Sequence, residues 1–289
     1  MPIPVTQAVA EQATTARSKA ESTRNPARYL VSGALAGAYV GVAVVLMVMA
    51  TGPLNAAQSP FTKLAQGLVF GIALTLVVFA GAELCTGNMM TMVLGLFDRV
   101  RGTGPGAAGA VILFSFVANL VGSIVFAWLV HTSGVLDVAA SPGAPAPGAT
   151  MLAALVKAKA GENVTTMFFR GVLCNFLVCL GVWMAGRTRS DGAKLVVLFW
   201  ALLAFITSGF DHVVANMTIF SLGEMAGAPG ATLGTFAENM LVVGLGNLVG
   251  GGLLVGAAYG LVGRTPAASG AEPAHPANAE PALTAATRG

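Results

Sequence analysis

His212 is the one histidine set deep in an apolar run; His131 stands at the end of such a run and His275 in a polar tail. Asp211 precedes it, and Glu83, 128 residues earlier, is another carboxylate within an apolar run. A buried neutral imidazole can donate to an anion, or take up and release a proton near neutral pH. In a soluble core a lone buried histidine reads as structural, but inside a membrane an ionisable residue reads first as functional. Glu83 and Asp211 are functional acids or caps of freed backbone amides, and the cap reading is preferred. Thr86 puts a hydroxyl near Glu83. Asn175 interrupts the apolar stretch 172–178 and is either interhelical glue or a pore ligand. Arg170 is expected to snorkel or to neutralise a carboxylate. Lys157 and Lys159 would concentrate anions at a span mouth, or merely anchor it at the interface.

Other chemistry is not indicated. Cys85, Cys174 and Cys179 read as small packing residues. No set of His, Cys and carboxylates has metal-ligand spacing, and no phosphate loop or nucleophile elbow is present. One deep histidine argues against a haem-bearing membrane subunit. No cofactor, no metal and no enzymatic activity are therefore expected.

The elements that must carry these residues are set by composition. Of 289 residues only 9% are charged and 55% are hydrophobic, against about 25% charged in ordinary soluble domains. Too few polar groups exist to cover a water-soluble globule, and the composition is the reverse of a disordered chain. The net charge of +3 is dispersed along the chain, so no nucleic-acid partner is expected. A bilayer core of about 30 Å takes about 20 apolar residues per helix. Six runs meet that length, at about 29–51, 64–97, 106–131, 163–186, 195–222 and 233–262. Gly52-Pro53 reads as a turn, and the Pro/Gly-rich stretch 139–148 as a loop.

The chain thus divides into a polar segment 1–28, a six-helix domain 29–263 and a tail 264–289. The first segment reads as a surface helix and carries no signal-peptide pattern. The Ala/Pro-rich tail reads as disordered. With the N-terminus placed in the cytoplasm, eleven of fifteen Lys and Arg fall in inside segments, including Arg99 and Arg101, and three fall outside. The positive-inside rule then puts both termini in the cytoplasm.

The two halves match at one offset. Gly81, Glu83, Asn88 and Met89 correspond to Gly209, Asp211, Asn216 and Met217, and Asn119-Leu-Val-Gly122 returns as Asn247-Leu-Val-Gly250, each 128 residues apart. Three spans per half would place the second half upside down, an arrangement with its substrate site near the midplane. Glycines beside the acids predict that the second and fifth spans are broken there. Broken backbone at membrane depth must line a cavity or be buried in protein, and half-helix N-termini favour an anion.

The sequence resembles the formate/nitrite transporter family, most closely its nitrite channel branch, from about Asn25 to Gly263. The resemblance is carried by Gly33–Gly41, Gly71–Leu76 leading to Glu83–Gly87, Asn119–Ser123, Gly171–Leu180 and Ser208–Phe220. It implies an all-α membrane fold of six helices in an aquaporin-like inverted 3+3 repeat, assembled as a pentamer with a pore in each protomer of a bacterial inner-membrane protein. It implies that His212, Thr86, Asn175 and Lys159 serve the substrate. It implies gate residues Phe70, Leu74 and Phe205 on the periplasmic side and Leu84 and Val178 on the cytoplasmic side, with Glu83, Asp211, Asn88 and Asn216 supporting the breaks. Cys85 departs from a phenylalanine common in the family, which implies a wider inner constriction; Asp211 replaces a glutamate. The expected cargo is nitrite, then formate or hydrosulfide, with protons and membrane lipids as the other partners. A redox subunit would need a cofactor, and a neutral-solute pore would carry paired Asn-Pro-Ala motifs, which the chain lacks.

Overall fold

The computed structural model describes residues 1–97, 102–139 and 141–263. Arg99, Arg101 and the tail 264–289 lie outside the described residues. Among those described there are helices and no strands. In chain order they are α1 (Val5–Ser22), α2 (Pro26–Ala56), α3 (Thr62–Phe70), α4 (Ile72–Ala80), α5 (Cys85–Phe97), α6 (Pro105–Ser133), α7 (Pro147–Ala160), α8 (Val164–Gly186), α9 (Asp191–Thr207), α10 (Val213–Met225), α11 (Leu233–Leu248) and α12 (Ala258–Val262). A π-helical segment, Val249–Ala257, joins the last two.

Five segments are long and apolar enough to cross a membrane: α2, α3 with α4, α6, α8, and α11 through α12. The run at 195–222 is divided between α9 and α10. The run expected at 64–97 is likewise divided, with α5 set apart from α4. α5 and α10 have 13 residues each, about 20 Å of helix, too short to cross a bilayer alone. The outer faces of the long helices are apolar and exposed, as at Leu113, Val117, Val121, Val125 and Trp128 on α6. These are faces suited to lipid.

Two sequence expectations are corrected. Gly52-Pro53 does not turn the chain: α2 runs on to Ala56. Pro53 lies so near the helix end that little of the ladder is lost, and Gly52 lets α2 rest on the Pro147 carbonyl, 2.6 Å from where a Cβ would stand. The Pro/Gly stretch 139–148 is not a loop to its end either, since Pro147 and Gly148 are helical. Pro147 is the first residue of α7, where proline suits a helix start. The α1 segment is helical as expected, and it packs Ala8, Val9, Ala13 and Ala16 inward against the bundle.

Glycine sets the closest approaches. Gly37 on α2 meets the Asn119 backbone of α6, and Gly122 on α6 meets the Ala34 carbonyl of α2. Gly171 on α8 faces α11, where an added Cβ would stand 2.8 Å from the Val243 carbonyl oxygen. Without a hydrophobic force between helices in lipid, such backbone contact is a main source of association. Gly171→Val and Gly122→Val are each expected to cost about 1–3 kcal/mol through overpacking. Thermal unfolding followed in detergent should show both losses and only a small change for Gly109→Ala, whose added Cβ meets nothing within 4 Å.

Candidate functional site

The two breaks are built alike. Gly81 ends α4 in the left-handed region at φ 76°, and Gly209 lies just beyond α9 at the same φ of 76°. Here the absence of a Cβ matters, because other residues are strained at this angle. Ala82 N–H donates to the Val77 carbonyl at 2.9 Å and Phe210 N–H to the Phe205 carbonyl at 3.1 Å, closing each stub. One asparagine then serves each break. The Asn119 amide oxygen accepts from Cys85 N–H at 2.9 Å, while its NH2 donates to the carbonyls of Glu83 and Gly33, both at 2.8 Å. The Asn247 amide oxygen accepts from Val213 N–H at 2.9 Å, and its NH2 donates to the carbonyls of Gly171 at 2.8 Å and Asp211 at 3.0 Å.

This corrects the preferred reading of the two acids. Neither carboxylate caps the helix that follows it, because the neighbouring asparagines already hold the first amides. The charges are met by lysines instead. Lys19 of α1 pairs with Glu83 at 2.6 Å, and Asn88 donates to the same carboxylate at 3.1 Å and to the Tyr29 hydroxyl at 3.2 Å. Lys159 of α7 pairs with Asp211, and Asn216 donates to Asp211 at 3.3 Å and to Asn239 at 2.8 Å. Arg170 pairs with Glu162, the expected neutralisation of a carboxylate.

Between the breaks, α5 and α10 bring their N-termini together. Thr86 lies in the first turn of α5, and His212 is the N-cap of α10. Thr86 Oγ1 and His212 Nε2 are 3.0 Å apart. His212 Nδ1 accepts from Ala215 N–H at 3.3 Å, so in the neutral ring the proton sits on Nε2 and is donated to the threonine oxygen. The Thr86 hydroxyl keeps its own hydrogen to offer elsewhere. Two positive helix ends thus converge on one buried hydroxyl and one imidazole.

Two cavities meet at His212. The wider, about 100 Å³, is lined by Lys63, Lys159, Glu162, Arg170, Asn216 and His212 among others. The narrower, about 10 Å³, is lined by Val40, Phe70, Ala73, Leu74, Leu84, Val178, Leu202, Phe205 and His212. That volume is about the least that holds one water. Phe70 and Phe205 line both cavities, their rings edge to face at 5.8 Å, and the Phe205 ring lies 6.0 Å from the imidazole. All five expected gate residues therefore surround one small chamber.

Not every expected site residue reaches these cavities. Thr86 is buried behind His212. Asn175 is fully buried and donates to the carbonyls of Asn247 at 2.7 Å and Thr86 at 3.2 Å, so its contacts are those of glue. Cys85 is buried and lines neither cavity. Lys157 is exposed. Asn119, Asn247, Lys19 and Glu162 were not singled out from sequence as site residues. The shared 128-residue offset marks both asparagines; Lys19 lies 64 residues from its partner, with no local signal. No group of three or more His, Cys, Asp or Glu among the described residues could hold a metal. Asn247→Leu and Asn119→Leu are each expected to strip two backbone groups at the break of partners, the first amide of the new helix and the carbonyl before it, at about 1–3 kcal/mol per group. Denaturation midpoints in detergent should fall for both, and by more than for Asn88→Leu.

A model of the family described as formate/nitrite transporter matches residues 6–261. The nitrite transporter NirC of Salmonella typhimurium is 39% identical over 249 residues, covering 86% of this chain and 87% of its own. A probable formate transporter of Methanothermobacter thermautotrophicus is 36% identical, covering 80% and 87% respectively. Among solved structures, one described as an FNT family ion channel superposes with a TM-score of 0.80 at 36% identity, covering 89% of this chain and 99% of that one. Another, a pentameric formate channel with formate bound, gives 0.69 at 27% identity, covering 83% and 98%. With long apolar helices and matches over most of its length, the chain is an integral membrane protein that belongs to the formate/nitrite transporter family.

Proposed function

We propose that this protein is a channel for small monovalent anions, nitrite first and formate next, and not an enzyme. The observation that carries the reading is the meeting of Thr86 and His212, each at a half-helix N-terminus, at the neck between a cation-lined vestibule and an apolar chamber. Lys159 gathers the anion in the vestibule, Phe70 and Phe205 bound the neck, and Leu74, Leu84 and Val178 enclose the far side. Asn175 holds the first turn of α5 in place; Glu83, Asn88, Asp211 and Asn216 support the breaks. The nitrite preference rests on the likeness to NirC proteins.

The same reading gives the chain six spans, counting α3 to α5 and α9 to α10 as broken crossings. The matched clamps support an aquaporin-like inverted 3+3 repeat, with residues 29–263 as the channel domain and 1–28 and 264–289 as cytoplasmic ends. A homopentamer in a bacterial inner membrane fits the pentameric formate channel among its structural neighbours and the bias of Lys and Arg toward the cytoplasmic side. Lipids cover the apolar faces.

The chamber favours one form of the cargo. A bare anion is costly in a space of about 10 Å³ with aliphatic and aromatic walls. A proton joining the anion at the neck gives a neutral weak acid, which such walls accept. His212→Asn keeps an oxygen for the α10 cap and removes the imidazole. Liposome flux of labelled nitrite is expected to fall about ten- to a hundredfold, the worth of one hydrogen bond to a charged group. Its dependence on pH should change as well. Wild-type rates and an unaltered pH profile in this variant would remove the imidazole from the mechanism.

A further inference from the structure

Glu162 lies in the short loop between α7 and α8 and was assigned no part in the pathway. Its side chain is 11% exposed, and its Oε1 is taken by Arg170. The other oxygen, Oε2, is buried and has no hydrogen-bond donor among the described residues. Asp211 is in the same condition: Lys159 and Asn216 hold Oδ1, while the buried Oδ2 has no donor. The side chains of Glu162 and Asp211 lie within hydrogen-bonding reach of each other. Two ionised carboxylates in that position are both acceptors, so both orphan oxygens bear the full cost of burial and of like charge. One proton between them satisfies both atoms at once.

We propose that Glu162 and Asp211 share one proton, so that the outer mouth of the pathway is an acid-base site whose occupancy sets the charge met by an arriving anion. The inference rests on the channel reading for its consequence; the proton site itself rests on the two buried, donorless carboxylate oxygens and the nearness of the two side chains. The step is a simple ionisation: the shared carboxyl releases H+ to water in the vestibule and leaves a second carboxylate. Among the described residues, the charged or titratable groups facing the pair are Lys63 from α3, Lys159 from α7, Arg170 and the Cys174 thiol from α8, and His212 from the head of α10. With the proton held, three cations face one carboxylate; without it, three face two.

The direction of titration follows from the surroundings. Burial, then the neighbouring Asp211 carboxylate, push the Glu162 carboxyl up to about 7, against the opposing pull of Lys159 and Arg170. Below that pH the proton is held and the mouth is more positive. Above it the proton leaves and attraction for anions weakens. Because the shift is upward, the charged form is the one penalised, and the transition lies near neutrality instead of in the ordinary carboxylate range.

Two measurements on the full chain in liposomes test this. Infrared titration should show a protonated-carboxyl band lost with a midpoint near pH 7, absent in Glu162→Gln and shifted to lower pH in Asp211→Asn. Nitrite flux should fall roughly two- to tenfold as outside pH rises through that midpoint in wild type. In Glu162→Gln, fixed in the neutral form, the part of the fall centred on that midpoint should vanish, leaving the pH dependence that His212 and the cargo confer. A band that persists unchanged in Glu162→Gln, or flux profiles of the two proteins that superimpose, overturns the proposal. If the band behaves as expected but no variant, wild type included, passes nitrite or formate, the proton site stands and the channel reading fails.

Discussion

A chain that stops a helix inside a membrane must find partners for the backbone it frees, since lipid offers none. In this protein that requirement is met twice by the same device. Asn119 and Asn247 each use one side-chain amide in place of a turn of helix, accepting from the first amide of the new helix and donating to the carbonyl just before it and to one on a neighbouring helix. Everything else at the centre depends on those two side chains. They fix where α5 and α10 begin, and therefore bring Thr86 within 3.0 Å of His212.

The charges are arranged around that centre and kept out of it. Glu83 and Asp211 are each one residue or two from a break, yet both point to a lysine outside the throat. The chamber between them has only apolar walls and one imidazole edge. The polar groups at the centre itself are neutral and directional, a hydroxyl, an amide and a ring nitrogen, and of these only the imidazole borders the chamber. The vestibule does the opposite: it gathers cations where water still has access.

Much of this was legible in the sequence. Six apolar runs, the glycines and acids at matched positions, and the solitary deep histidine gave the broken helices and the neck. What stayed hidden was long-range partnership. The acids read as caps because a carboxylate beside a break is the nearest available acceptor; only the fold shows that Asn119, 34 residues beyond Cys85, arrives first. Lys19 could not be matched to Glu83, since nothing local links a surface helix to an acid 64 residues on. α7 was concealed by its composition, a short Ala-rich stretch behind a proline cluster. Pro53 misled because the rule against proline inside helices weakens in the last turn.

The clamps have a consequence for how the chain is made. In both halves the amide that needs a partner and the asparagine that supplies it are 34 residues apart. When Cys85 or Val213 is added to the chain, its acceptor has not yet been synthesised. The kinked segment therefore has no stable place in lipid until the next hydrophobic helix follows it into the bilayer. Each broken crossing and its successor must be delivered as one unit, and the insertion machinery has to shelter the exposed peptide groups for the same length of translation on both occasions.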